Sequence, residues 1–239
     1  IGGEGGKAAL ERLRNVFGRV EAVWKPANAV ESFEIVRRRL FQEITDLKGR
    51  DAVCRAFARM YRNDKAEFPL ECCEAEYEQR LRSAYPIHPE LFDRLYEDWS
   101  TLERFQRTRG VLRMMAAVVH ELWKRSDNSL MIMPGTVPLD ATEVRIEVTH
   151  YLPEGWGAVV DKDIDGPQSR PLALDNNNPN YGFYSACRRV ARTIFIGSAP
   201  LEKTQKPQGI EESRIKLGCV QLNDSPAVFG DALRRLSEE

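Results

Sequence analysis

Residues 108–124 read T-R-G-V-L-R-M-M-A-A-V-V-H-E-L-W-K. Val111, Leu112, Met115, Val118, Val119 and Leu122 recur there at spacings of three and four, which gathers them on one side of an α-helix. Thr108 stands where a hydroxyl can cap the first turn, and the polar Ser126-Asp127-Asn128 closes the pattern. This is the longest apolar stretch in the chain, yet Arg113 and His120 interrupt it. It falls short of the roughly 18 apolar residues that a membrane span needs.

Working outward, the same period governs most of the chain and predicts a mainly α fold with a few short strands. Upstream, Pro89 opens a helix running to Trp99, and helices are predicted over 74–84 and from about Arg50 to Tyr61. Asn28 followed by Glu31 has capping-box spacing, and Phe33, Val36, Leu40 and Phe41 then share a face of a helix running to about Ile44. Arg37, Arg38 and Arg39 ride on that helix. Further back, Lys7 to Phe17 reads as a helix, and Arg19 to Trp24 alternates like a short strand that stops at Lys25-Pro26.

Downstream, residues 133–179 turn rich in Pro, Gly, Asp and Asn, which predicts long loops with short helices near 141–151 and 156–163. Helices then resume over Tyr184 to Gly197, Glu211 to Cys219 and Ala227 to Leu236. The shifts in composition suggest segments at 1–26, 27–126 and 127–239. The last helix has no capping glycine, so the chain reads as a truncated piece of something longer.

Hydrophobic residues at 42%, charged residues at 30% and a net charge of -1 over 239 residues describe an ordinary soluble surface. Nucleic-acid binding would need a local patch of cations. The five cysteines, Cys54, Cys72, Cys73, Cys187 and Cys219, form no C-x-x-C pair, so no zinc site is expected. With no apolar leader, the expected setting is the cytoplasm with reduced thiols and no membrane partner.

Two stretches imitate known chemistry and fail in detail. The opening G-G-E-G-G-K lacks the first glycine of a phosphate loop and has Ala8 where a magnesium-binding hydroxyl is required. His120-Glu121-Leu122-Trp123-Lys124 starts like a zinc-protease helix but puts Lys where the second imidazole must be. His88 precedes Pro89 and reads as a helix-start residue.

Two arginine contexts remain. Arg12, Arg14 and Arg19 surround the end of the first predicted helix, where a guanidinium could reach a neighbouring subunit's γ-phosphate; on spacing alone, a solvated basic helix end favoured by the macrodipole is the better account of them. At the start of the long helix, Gly110 permits close backbone approach, and Arg113 one turn later can point toward phosphate held at a domain boundary. Otherwise Arg113 is a surface arginine or a partner of Glu97, Asp98 or Glu103.

The order of these pieces, helix with arginines, short strand, capped helix E-S-F-E-I-V-R-R-R-L-F and then R-T-R-G-V-L-R-M-M, resembles the end of an AAA+ core running into its helical lid. The runs A-Y-P-I-H-P-E-L-F-D-R-L-Y-E-D-W-S-T-L-E-R-F-Q-R-T-R-G-V-L-R and A-C-R-R-V-A-R-T-I-F-I-G-S-A-P closely resemble a family of large bacterial and archaeal predicted AAA+ ATPases, catalogued mainly as a domain of unknown function. The resemblance implies Arg19, or else Arg14, as an arginine finger and Arg113 with Gly110 as a sensor-two element of the lid. It also implies ATP and Mg2+ in the full-length protein, with no Walker A lysine or Walker B acid in this segment.

Members of that family are similar to ATPases of phage-defence systems, in gene clusters with DNA methyltransferases and helicases, which implies DNA-linked work among subunits of the same ATPase. Arg188, Arg189 and Arg192, followed by Arg214 and Lys216, would then form a winged-helix-like face toward a phosphate backbone. Two rivals to a regulatory ATPase fragment are a DNA-binding module and an interaction scaffold docking through Trp99, Trp123 and Trp156.

Overall fold

The apolar face predicted over 108–124 folds as a helix, Thr108–Lys124, that buries Val111, Met114, Met115, Val118 and Leu122. It belongs to a computed structural model that describes residues 29–106, 108–201 and 209–238. The chain divides into two units, Ile1–Ser32 and Phe33–Glu239. Arg14, Arg19, the helix expected over 7–17 and the strand expected over 19–24 lie outside the described residues.

In chain order the helices are α1 (Ala29–Leu40), α2 (Leu47–Asn63), α3 (Ala75–Ala84), α4 (Pro89–Asp93), α5 (Thr108–Lys124), α6 (Thr142–Thr149), α7 (Trp156–Val159), α8 (Arg170–Asn177), α9 (Pro179–Tyr184), α10 (Ala186–Ser198), α11 (Glu212–Cys219) and α12 (Pro226–Ser237). The chain is mainly helical, as its periodicity predicts. The described residues contain no strand, only an isolated parallel bridge between Ile87 and Ile132. A winged helix needs a β-hairpin, and none occurs among the described residues of 127–239.

Local chemistry sets the ends of these helices. α2 starts at Leu47, earlier than its periodicity suggests, because the Asp46 carboxylate accepts the Gly49 N–H at 2.8 Å. The helix expected over 89–99 is regular only to Asp93; a π turn, Arg94–Asp98, and a 3-10 turn, Trp99–Thr101, follow. The stretch expected to be loop holds two more helices, α8 and α9. Ser169 with Pro171 and Asn178 with Pro179 place proline in the first turn, where its missing N–H costs nothing. The Asn178 side chain also accepts the Asn180 N–H at 3.0 Å.

Two sets of buried side chains hold Phe33–Glu239 together. One joins Phe92, Leu95, Trp99, Phe105 and Met115 to Leu139, Val144, Phe195 and Ile196. The other joins Phe57, Tyr61, Tyr77 and Leu81 to Met133, Val190, Leu217 and Phe229. Both draw on residues before and after 126, so the packing does not divide there. α10 contributes to both cores, Val190 to one and Phe195 to the other. Each such side chain contributes about 1.5–3 kcal/mol by leaving water.

Candidate functional site

The start of α5 is built on a glycine. Gly110 is buried, and a Cβ there would stand 1.9 Å from the Phe105 carbonyl oxygen, so only glycine lets the helix close on the turn before it. One turn on, Arg113 is 56% exposed and donates from Nη2 to Glu147 Oε2 of α6 at 3.0 Å. Glu147 is only 16% exposed, and its other oxygen accepts the Tyr151 hydroxyl at 2.5 Å.

Tyr151 in turn stacks edge-on against Phe105, with ring centroids 4.9 Å apart. Burial, and then its bond to Glu147, push its phenol up to about 12, so it remains a donor at neutral pH. Tyr151 also lines a cleft of about 420 Å3 with Thr101, Leu102, Glu103, Arg104 and Glu154.

The result is a chain of contacts from a buried aromatic through a phenol and a carboxylate to an exposed guanidinium. Arg113 is the exposed end of this pair, so an incoming phosphate could compete with Glu147 for its guanidinium. The site offers hydrogen-bond donors and a positive charge. The sequence pointed to Arg113 but named Glu97, Asp98 and Glu103 as partners; Glu97 and Asp98 instead bind Arg94. Glu147, 34 residues away, had no spacing signal to reveal it.

The second group of expected arginines faces inward. Arg192 is 9% exposed and holds Asp165 with Nε and Nη2 at 2.7 and 2.9 Å. Arg188 Nε reaches the same carboxylate at 2.7 Å, and the Asp140 N–H donates to it at 2.8 Å. Burial alone would raise the neighbouring Asp140 carboxyl, but Arg192, Arg125 and Arg188 together hold it below its ordinary value.

Arg189 binds Asp224 at 2.9 Å and lies over the Phe229 ring. Arg214 and Lys216 are likewise paired, with Glu90 and Glu71, and with Glu67 and Glu212. A DNA backbone would therefore have to displace carboxylates from each of these five cations. Apart from Glu212, one turn from Lys216, their partners lie far away in sequence, which is why the amphipathic pattern suggested a solvent-facing basic surface.

His88 caps α4: its Nδ1 accepts the Glu90 N–H at 3.1 Å while Nε2 lies 2.9 Å from the Tyr61 hydroxyl. Complete burial pushes its imidazole down to about 3. Of the tryptophans read as docking residues, Trp99 is fully buried and donates to the Ile196 carbonyl at 2.8 Å, whereas Trp123 is 85% exposed. No group of three or more His, Cys, Asp or Glu suited to a metal occurs among the described residues. None of their helices is long and apolar enough to cross a membrane.

Residues 27–211 match the family model described as "DUF499 second domain". The chain belongs to the DUF499 family. No curated protein and no solved structure matches it. The matched DUF499 stretch takes in α1 through α10, and with them Gly110, Arg113, Glu147, Tyr151 and the Asp165 cluster.

Proposed function

We propose that this DUF499 domain is the lid and regulatory part of an AAA+ ATPase, and that it senses nucleotide through Arg113. The observation that carries this reading is an exposed guanidinium at the start of a long helix, paired with the largely buried carboxylate of Glu147, which is itself held by Tyr151. ATP and Mg2+ would be bound by another part of the parent protein. When the γ-phosphate arrives, Arg113 leaves Glu147 for a phosphate oxygen, and α5 and α6 shift as a rigid body with it. Neighbouring subunits would complete the site, with Arg19 or Arg14 as the finger, and the motion would drive DNA-linked remodelling, as in phage defence.

Hydrogen exchange in the parent protein tests the coupling. Binding of a non-hydrolysable ATP analogue should change exchange over 108–113 and 142–151, and the change should vanish in Arg113→Gln. Identical exchange with and without nucleotide would refute the sensor role.

A further inference from the structure

Three arginines from three helices converge on a cleft that none of the contacts above uses. Arg37 of α1, Arg50 of α2 and Arg82 of α3 line it together with Glu34, Gln79 and Ser83, and it encloses about 230 Å3. The three side chains are 22%, 24% and 30% exposed, so they are held at the surface without being free in solvent.

Nearby carboxylates leave several of their donors over. Arg37 gives Nε and Nη2 to Glu34 at 3.0 and 2.9 Å, and Arg50 gives Nε and Nη2 to Asp51 at 2.9 and 2.7 Å. Arg82 gives Nη2 to Glu78 at 2.5 Å. Its Nε is buried with no hydrogen-bond partner, the Asp51 carboxylate standing 3.9 Å off. A buried N–H without an acceptor is a disfavoured arrangement that a ligand oxygen would relieve. Arg38 also leans on Glu34 and Arg62 on Glu78, so five arginines share three carboxylates and two positive charges are left over.

We propose that this cleft binds a phosphate-class oxyanion, a phosphomonoester or diphosphate group carried by a small molecule. Planar guanidinium forks match the oxygens of a tetrahedral anion, and the lining itself sets three arginines against one carboxylate, Glu34. The volume, 230 Å3, is roughly that of eight liquid waters at about 30 Å3 each. That is room for one or two phosphate groups with some water. No aromatic side chain lines the cleft to stack a base. Recognition is therefore of the anionic group. The site shares no residue with the Arg113 contact and stands or falls independently of it.

Calorimetric titration of the 239-residue chain with inorganic phosphate and with pyrophosphate at low salt tests the proposal. The expected result is saturable binding, tighter for pyrophosphate, that weakens about tenfold or more in Arg50→Gln and in Arg82→Gln and is unchanged in Arg59→Gln. Absence of saturable binding, equal binding by folded R50Q and R82Q, or binding of a duplex oligonucleotide alone would each overturn it. Should the variants fail to fold, phenylglyoxal modification of the unaltered chain decides: pyrophosphate should shield Arg37, Arg50 and Arg82, and no shielding would overturn the assignment.

Discussion

Gly110 and Arg113 sit three residues apart and answer to different physics. At Gly110 the constraint is steric, because any Cβ meets the Phe105 carbonyl oxygen and carbon, at 1.9 and 2.9 Å. Gly110→Ala should therefore destabilise the fold by about 1–3 kcal/mol despite alanine's better helix propensity, as read from urea unfolding; a more stable variant would show that the backbone yields freely there. At Arg113 the constraint is electrostatic and reversible. The sequence made both residues stand out, since glycine inside a helical pattern and an arginine on an apolar run are each out of place. Glu147 and Tyr151 had no such signal, because α6 and the turn after it, which carry them, meet α5 only in the folded chain.

Among the elements, α10 does the most to organise the fold, and it does so through charge as well as packing. Its Arg188 and Arg192 converge on Asp165, which is 1% exposed and lies 23 and 27 residues upstream of them. A charge left alone at such a position costs more than the pair contributes. Asp165→Asn should lower stability by about 3–5 kcal/mol, whereas Asp163→Asn, at an exposed position two residues away, should change it by no more than about 0.5 kcal/mol. Equal denaturation midpoints for the two would contradict the role given to this cluster.

The helices themselves were largely legible from period and caps, α5 almost to the residue. α8 and α9 were not, because proline and asparagine mark both loops and first turns, and only the capping geometry separates the two. The inward turn of Arg188, Arg189 and Arg192 was illegible for a related reason: amphipathic spacing reports a helix face, and the carboxylates that claim these side chains come from other segments.

Across the whole molecule, buried titratable groups on one short helix pull the pH profile in opposite directions. Burial lowers His88 from 6.5 to about 3, so protons favour the unfolded chain and His88 makes stability rise with pH over that range. Burial, only partly offset by Arg94 and Arg214, raises Glu90 from 4.5 to about 7, and burial raises Asp93 from 3.8 to about 6. These two make stability fall as pH rises through the same region. Glu90→Gln removes one falling contribution, so its stability should climb more steeply than the unaltered chain's between pH 4.5 and 6.5. Urea midpoints across that range give the comparison, and parallel profiles would show that Glu90 is not buried as an ionisable acid.

On the function proposed above, this domain would sense a phosphate bound elsewhere in its parent protein. Steady-state ATP turnover by the parent, compared between Arg113→Ala and Glu147→Gln with circular dichroism confirming that both are folded, tests that most directly. Loss of Arg113 should reduce turnover about tenfold or more, while Glu147→Gln, which frees the guanidinium, should preserve it. Full turnover in the folded R113A protein, or none in the unaltered parent, would contradict the claim.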